Sequence, residues 1–294
     1  MKEFLSIITP THNRKELLQR CFESLLKQSC FNFEWIIVDD GSTDGTREIA
    51  EQFSASEFKI KYFYKENGGK HTALNFSHPY IEGDYVTILD NDDYFCTDAV
   101  QSILSAWREV SDEQVGIVSL LKGKKGDNGE IIPLCQSIRE GVAVDISTPN
   151  RNSIISNDCN EVIRKDLFLK YPFPVFEGER FVSECALWDR VGMTHKYFYI
   201  NKVVCLCEYL EDGLTGAGRA MRIKNANGGM FTSNLRMNRK YPFIFRVKNG
   251  LLYTCYACFA KKSLSEMRKQ CCNKILMWCC LPFGWGLYWL WRKK

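Results

Sequence analysis

The sequence predicts an α/β protein with a Rossmann-like, mainly parallel central sheet flanked by helices, followed by a basic and apolar helical tail. Three observations predict this class. Short β-branched runs alternate with helical periodicity over the first hundred residues, polar residues follow each apolar run, and the last sixty residues are rich in cations and tryptophan. Such strand–helix alternation is typical of βαβ units and a mainly parallel sheet.

The first half of the chain predicts four strand–helix units. Apolar runs predict strands at residues 4–9, 33–38, 60–64 and 85–89, and the segments between them predict helices at 14–28, 42–53, 70–77 and 97–110. In the first helix, Leu18, Cys21 and Leu25 recur on one face. Ser42 or Thr43 and Thr97 are the residue types that cap a helix at its N-terminus.

The pattern beyond residue 115 is looser. A turn at 122–129 joins two strands, a strand follows at 158–164, a short helix at 183–191 and a last strand at 202–209. The Gly-rich segment 212–219 follows that strand, and its glycines would permit it to close over a ligand.

Composition excludes several classes. The 294 residues are 45% hydrophobic and 25% charged, which excludes disordered, collagen-like and small disulfide-rich proteins. The fourteen cysteines are scattered and no leader-like segment precedes Thr9, so we expect reduced thiols in a cytosolic protein. The Cys255–x–x–Cys258 pair with Cys271 and Cys272 leaves zinc as an alternative, although the spacing is not that of a zinc ribbon.

Acidic residues follow two of the predicted strands. Asp90 and Asp92 come directly after the fourth strand, where paired carboxylates are suited to Mg²⁺ or Mn²⁺ together with phosphate oxygens. An Asp-rich turn that only starts the next helix is the alternative. Asp39 and Asp40 follow the second strand, where one carboxylate can accept the imide N–H of a uracil and the other can cap a helix.

Two further motifs complete the predicted site. The stretch NGGKH at 67–71 joins a strand to a helix, and its glycines, helix N-terminus and Lys70 are suited to a diphosphate or a sugar. A plain Gly-rich loop is the alternative. Glu184 begins a short helix, where a carboxylate by itself most often only interacts with the helix dipole. Because ligands of open α/β sheets bind beyond the carboxyl ends of strands, we expect these groups to converge.

Taken together and in this order, the motifs closely resemble family-2 glycosyltransferases with the GT-A fold. The resemblance rests on FLSIITPTHNR at 4–14, WIIVDDGSTD at 35–44 and LDNDD at 89–93. NGGKHTALN at 67–75, with YPFP at 171–174 and FEGE at 176–179, resembles the bacterial members that build surface polysaccharides. The resemblance covers about residues 1–220.

The resemblance implies an inverting, metal-dependent transfer of a sugar from a nucleotide-sugar, most often a UDP-sugar, to a hydroxyl group. The residues that it places at the nucleotide-sugar are Thr9, Asn13, Asp39, Asp40, Lys70, Asp90 and Asn91. Asp90 and Asp92 would hold Mn²⁺ or Mg²⁺, with Asp92 as the more direct ligand. The family's base lies in a Glu–Asp–x–x–x–Trp helix start, which reads Ser183–Glu184–Cys185–Ala186–Leu187–Trp188 here, so Glu184 takes the place of the Asp.

The last part of the chain predicts a membrane-associating segment. Residues 236–294 carry thirteen Lys or Arg and one acidic residue, a net charge of +12, whereas residues 1–235 carry a net charge of −8. Residues 275–291 are uncharged and contain four tryptophans, a composition typical of the lipid headgroup region. We therefore divide the chain into a catalytic domain at 1–235 and a tail at 236–294 that lies on the cytoplasmic face of the membrane. A helix packed on the catalytic domain and a short membrane span are the alternatives.

The resemblance and the tail together predict a polyprenyl-diphosphate-linked or other glycan acceptor at the membrane. The basic tail could instead bind nucleic acid, but four tryptophans in an uncharged segment favour lipid, so we expect no nucleic-acid partner. Two other functions remain open. A sugar nucleotidyltransferase would use the same ligands but release pyrophosphate, and a scaffold would retain the fold without turnover. The absence of a G-x-G-x-x-G after the first strand argues against an oxidoreductase.

Overall fold

The computed structural model describes residues 3–135, 139–148, 159–207 and 214–292. The strands in these ranges are Leu5–Thr11 (β1), Phe33–Asp40 (β2), Lys59–Lys65 (β3), Tyr85–Ile88 (β4), Asp93–Phe95 (β5), Val115–Lys125 (β6), Ile131–Pro133 (β7), Ala143–Val144 (β8), Cys159–Arg164 (β9) and Lys196–Cys207 (β10). The α-helices are Lys15–Leu26 (α1), Thr46–Ala50 (α2), Lys70–Ser77 (α3), Ala99–Glu109 (α4), Lys165–Lys170 (α5), Cys185–Gly192 (α6), Leu214–Lys224 (α7), Ala226–Arg236 (α8), Phe243–Phe259 (α9), Leu264–Gln270 (α10) and Lys274–Arg292 (α11).

The described strands form one sheet, whose main path runs β3-β2-β1-β4-β9-β6-β10-β5. Strands β1 to β4 pair in parallel, as the βαβ pattern predicts. The other half is mixed, because β9 runs antiparallel to both β4 and β6, whereas β6 and β10 are parallel. The α/β class is therefore confirmed, and its parallel part is the half that carries the predicted site.

Both faces of the sheet are covered, which explains why the central strands are apolar throughout. All eight residues of β2 are buried, as expected for a parallel strand between two helical layers. One apolar cluster includes Leu18 of α1 and Ile103 of α4, and the other includes Leu74 of α3 and Leu187 of α6. The helical face predicted for α1 is the face that is buried.

Several predicted boundaries differ from the observed ones. Helix α2 begins at Thr46, whose N–H is accepted by the Asp44 carboxylate at 3.0 Å, so neither Ser42 nor Thr43 caps it. Helix α4 begins at Ala99, and its N-cap is Asp98 rather than Thr97. Strand β10 begins at Lys196 rather than at residue 202, because its first part pairs with β6.

The segment 212–219 lies partly outside the described residues. Residues 212 and 213 are not described, and from Leu214 onward the chain is helical rather than a loop. Gly218 has a φ of 47°, which kinks α7. The guanidinium of Arg219 lies 4.9 Å from the ring centre of Trp291, so α7 packs on the end of α11.

The helices at the end of the chain form a third apolar cluster. Ala226 and Met230 of α8 pack in it together with Tyr253 of α9 and Met277 of α11. The cluster thus joins residues on both sides of the boundary predicted at 235/236. In addition, the Arg236 guanidinium pairs with the buried Asp189 of α6 at 2.5 Å, which ties this cluster to the α/β part.

Helix α11 packs tightly on α9 along one face. A Cβ on Gly284 would lie 1.8 Å from the Thr254 hydroxyl, and one on Gly250 would lie 2.7 Å from Cys280 Sγ, so only glycine permits this approach. The helix continues through Pro282. Its opposite face is exposed and includes Trp278, and residues 275–291 contain no charged side chain. None of the described helices combines the length and the apolarity needed to cross a bilayer.

Candidate active site

The carboxyl ends of β1, β2 and β4 meet at one edge of the sheet. Thr11, the last residue of β1, is the register partner of Asp39 in β2. The Asn91 amide, just beyond β4, donates to the Thr11 hydroxyl at 3.0 Å. The polar residues that follow these strands are therefore neighbours, as their positions at the strand ends predict.

The turn after β4 gathers three carboxylates. Oxygens of Asp90, Asp92 and Asp93 lie within 4.8 Å of one another. Helix α1 holds the turn, because the Arg20 guanidinium donates to the Asp92 carbonyl and Cys21 Sγ donates to the Asp93 carbonyl at 3.1 Å. These hydrogen bonds hold the backbone of the turn in place without using the carboxylates of Asp90 and Asp92.

The carboxylates of this turn differ in charge balance. Burial raises the pKa of Asp92, and the nearby charges of Asp90 and Asp93 raise it further. Burial also disfavours charge on Asp90, but the ammonium groups of Lys70 and Lys122 outweigh it and lower the pKa of Asp90. The carboxylates in this turn repel one another, and a bound cation would relieve that repulsion. A hard ion such as Mg²⁺ or Mn²⁺ fits such oxygen ligands.

Lys70 connects the acidic turn to Glu184. Its ammonium group forms ion pairs with the Asp90 and Glu184 carboxylates. Burial lowers the pKa of Lys70, but the two carboxylates outweigh burial and the net shift is upward. Lys70 is the first residue of α3, so the helix N-terminus fixes the position from which its side chain reaches both acids.

Glu184 is held at the start of α6. Its carbonyl accepts hydrogen bonds from Leu187 N at 2.8 Å and Trp188 N at 3.2 Å, while its side chain is 31% exposed. Leu187 and Trp188 are buried under the sheet and fix the helix. The carboxylate thus lies on a rigid element and remains accessible beside the acidic turn.

Asp40 holds the NGG loop in place. One carboxylate oxygen accepts from Gly68 N at 2.9 Å and from Lys65 Nζ at 2.6 Å, and the other accepts from Gly69 N at 2.7 Å. Gly69 has a φ of 93°, and a Cβ there would lie 1.9 Å from the Arg180 carbonyl oxygen. Asp40 neither caps α2 nor lies free for a ligand, and its bonds instead position the loop that begins α3.

Asp39 is also fixed by neighbours. Its carboxylate accepts from Ser42 N at 2.7 Å and from the Tyr62 hydroxyl at 2.8 Å. Burial raises the pKa of Tyr62, and the hydrogen bond to Asp39 raises it further, so the tyrosine stays a donor. These bonds fix the rotamer of Asp39 at the carboxyl end of β2.

Two residues predicted at the nucleotide-sugar have other contacts. The Thr9 hydroxyl accepts from the Trp35 indole at 2.9 Å and is fully buried, so this side chain belongs to the core and not to a ligand surface. Asn13 has a φ of 52°, and its amide oxygen accepts from Thr43 N at 2.7 Å. Asn13 therefore connects the loops that follow β1 and β2.

Several supporting residues were not predicted. Lys65 neutralises Asp40, Tyr62 orients Asp39, and Lys122 pairs with Asp93 at 2.9 Å. The contact of Lys65 could have been predicted from the sequence, because parallel pairing of the second and third strands makes Lys65 the register partner of Asp40. Lys122 lies on β6, whose place in the sheet has no comparable local signal.

The strand order and the acidic turn beyond β4 define an α/β protein of the GT-A class. The family model described as "Glycosyl transferase family 2" matches residues 6–152, which is half of the chain. The chain belongs to this family.

Curated relatives carry related names. Glycosyltransferase GlyG of Streptococcus pneumoniae is 33% identical over 119 residues, which cover 40% of this chain and 38% of that protein. The putative teichuronic acid biosynthesis glycosyltransferase TuaG of Bacillus subtilis is 38% identical over 111 residues, which cover 37% and 44% of the two chains. The match thus spans less than half the length of these relatives.

Solved structures share the fold over a larger part of the chain. S. aureus TarS 1–349 in complex with UDP-GlcNAc has a TM-score of 0.64 at 21% identity, and the match covers 90% of this chain and 74% of that one. The mannosyltransferase PcManGT from Pyrobaculum calidifontis, in complex with GDP-Man and Mn²⁺, has a TM-score of 0.59 at 21% identity and covers 100% and 89%. At this identity the likeness establishes the fold.

Proposed function

We propose that the protein is a metal-dependent inverting glycosyltransferase. It transfers a hexosyl or N-acetylhexosaminyl group from a nucleotide-sugar, with UDP as the nucleotide, to a hydroxyl of a glycan or lipid-linked acceptor in cell-surface polysaccharide synthesis. The observation that carries the proposal is the placement of Glu184 beside the carboxylates of Asp90 and Asp92, with Lys70 between them. A single displacement requires a base for the attacking hydroxyl and positive charge for the departing diphosphate, and Glu184 and the Asp90 and Asp92 pair are placed to supply them.

The nucleoside would lie over the end of β2. Asp39 keeps a fixed carboxylate there, but its side chain is fully buried, so it could accept the imide N–H of a uracil only after neighbouring side chains move. Asn91 lies next to this position, held by Thr11. The preference for UDP is supported by TarS, which was solved with UDP and with UDP-GlcNAc, although PcManGT was solved with GDP-Man.

The diphosphate would lie between the acidic turn and the start of α3. Asp90 and Asp92 would hold the Mn²⁺ or Mg²⁺, and the bound cation would neutralise the negative charge of the departing diphosphate. Asp40 fixes the backbone of Gly68 and Gly69, and with it the start of α3 from which the Lys70 side chain extends. Lys70 adds a positive charge that is already held in place.

Glu184 would act as the general base. In a single displacement at the anomeric carbon, the acceptor hydroxyl attacks from the face opposite the leaving diphosphate, and the configuration inverts. Glu184 would take the proton of that hydroxyl, which is an effect of about 10²–10⁴-fold in rate. The ion pair with Lys70 holds the Glu184 carboxylate in place beside the acidic turn.

We also propose that the protein works at the cytoplasmic face of a membrane, bound peripherally through residues 236–294. The support is the net charge of +12 in this segment and the exposed apolar side chains on α11, which include Trp278, Trp285 and Trp289. Cations beside exposed tryptophans favour binding to an anionic lipid surface. A lipid-linked acceptor would be present at that surface.

The experiment that tests the activity is a panel of nucleotide-sugars incubated with the purified protein and Mn²⁺. We expect one or a few UDP-sugars to release UDP, faster when a polyprenyl-diphosphate-linked glycan is added. In a parallel incubation with UTP and sugar 1-phosphates, release of pyrophosphate would identify a sugar nucleotidyltransferase. Absence of release and of binding for every donor would support a scaffold.

A further inference from the structure

An apolar groove of about 550 Å³ opens between α9 and α11, far along the chain from the acidic site. Its rim includes Phe243, Ile275 and Phe283, which are 67%, 77% and 70% exposed. Its floor is formed by residues such as Leu276 and Cys280 that pack α11 on α9. The volume falls in the range of about 300–1,000 Å³ that is usual for small-molecule sites.

The groove has one cationic end. Gly250 of α9 meets Cys280 of α11 and Thr254 meets Gly284, so the two helices run in the same direction. Both helix N-termini therefore lie at the end of the groove where Arg239 and Arg246 line it.

The two arginines are available to an anion. The Arg246 guanidinium lies 5.9 Å from the Phe243 ring centre and donates to the Met237 carbonyl at 3.3 Å. In the part of the chain that the structure describes, neither Arg246 nor Arg239 pairs with a carboxylate. Two guanidinium groups and two positive helix ends at one end of an apolar trough are suited to a phosphate group.

We propose that this groove binds one acyl or isoprenoid chain of an anionic membrane lipid, with the lipid phosphate between Arg239 and Arg246. The proposal rests on the membrane location proposed above and deepens it, because it assigns a specific lipid site to a segment otherwise described by its net charge. The apolar rim would enter the lipid surface, and the cationic end would remain at headgroup depth.

The first test compares two double variants of the full chain. Arg239→Gln with Arg246→Gln removes the cationic end of the groove, and Arg268→Gln with Lys269→Gln removes the same charge from exposed positions on α10. Binding to vesicles of phosphatidylcholine with phosphatidylglycerol is measured by sedimentation. We expect the groove variant to bind at least about tenfold more weakly, because it loses charge-assisted hydrogen bonds to the phosphate as well as charge, and the α10 variant to lose less, because it loses charge alone. Equal losses would overturn the site, because they would mean that only the net charge matters.

The second test removes the apolar part without changing charge. Val247→Trp fills the groove, and Leu264→Trp adds the same side chain at an exposed position outside it. We expect Val247→Trp to abolish one-to-one binding of monomeric lysophosphatidylglycerol in native mass spectrometry, while Leu264→Trp retains it. Ile275→Gln should also abolish this binding, and because Ile275 is exposed the substitution should leave folding intact. Retained binding in both groove variants would overturn the proposal.

Two further readouts separate the causes of failure. Release of UDP in the presence of a soluble acceptor should be the same in the groove variants as in the unmodified protein. If the unmodified protein releases no UDP but still binds the lipid, the proposed reaction is refuted and the lipid site is not. Full competition by inorganic phosphate would overturn the lipid site in favour of a free-anion site. A lipid-free dimer that the groove variants dissociate would overturn it in favour of a second copy of the chain.

Discussion

Lys70 forms an ion pair with Glu184, although the two residues begin different helices in distant parts of the sequence. The same ammonium group pairs with Asp90, so one cation links the acidic turn to the carboxylate that we assign as the base. This relationship places the carboxylate that we propose as the base next to the carboxylates that we propose as cation ligands. Each prediction below tests one part of it or of the fold that holds it.

Replacing Glu184 by Gln should separate binding from chemistry. The amide keeps the size of the side chain but cannot accept the acceptor proton, so we expect transfer to fall by about 10²–10⁴-fold while UDP binding persists. Initial rates and UDP-induced thermal stabilisation measure the two effects. Glu177→Gln, at an exposed glutamate of the preceding segment, is the matched control. A transfer rate near that of the unmodified protein would place the base elsewhere.

Replacing Lys70 by Met should strengthen the binding of the cation but slow transfer. The ammonium group repels a divalent ion at Asp90 and Asp92, so its removal should lower the Kd for Mn²⁺ in the presence of UDP by several-fold, as titration calorimetry can measure. Transfer should still fall because the leaving diphosphate loses a positive charge. Lys59→Met, at an exposed lysine paired with Glu82, is the control. Weaker Mn²⁺ binding in Lys70→Met would contradict the arrangement.

Gly69 should not tolerate a side chain. A Cβ would lie 1.9 Å from the Arg180 carbonyl and φ is 93°, so Gly69→Ala combines a backbone clash with strain. We expect a loss of roughly 3 kcal/mol in the free energy of unfolding, measured by urea denaturation. Gly178 has a φ of 76° with no atom within 4 Å of a Cβ, so Gly178→Ala isolates the strain and should cost about 1 kcal/mol. Equal costs would mean that the clash is absent.

Asp189 should join helix α6 to the C-terminal helices. Its buried carboxylate accepts from Arg236 Nε at 2.5 Å and from the Tyr241 hydroxyl at 2.7 Å. Asp189→Asn weakens both charge-assisted bonds, and we expect a loss of about 2 kcal/mol in the free energy of unfolding. Asp166→Asn disrupts an exposed pair with Arg164 and should cost less than about 1 kcal/mol. If both variants lose the same amount, Asp189 does not serve as a buried anchor.

Local sequence patterns predicted the parallel half of the sheet well. The helix at 70–77 has the predicted bounds, because two glycines stop the preceding strand and an apolar face follows directly. The acidic turn was also predictable, since Asp90 to Asp93 follow a buried strand. In both cases the determining residues are neighbours in the chain.

The contacts that give the site its charge balance were not predictable in this way. The pairing of Lys70 with Glu184 depends on where α6 packs, and the bonds of Asp40 to Gly68 and Gly69 depend on how the loop folds back over β2. Thr9 has the residue type expected at a nucleoside, but the register of β1 and β2 places it against Trp35 in the core. Such outcomes are set by tertiary packing rather than by local sequence.

The most direct test of the central claim is the melting temperature of the protein with UDP, in Mn²⁺ and in EDTA. If Asp90 and Asp92 hold a cation that binds the diphosphate, UDP should raise the melting temperature by several degrees in Mn²⁺ and far less in EDTA. In Asp92→Ala the difference between the two conditions should disappear. Equal stabilisation by UDP with and without the metal in the unmodified protein would contradict the account.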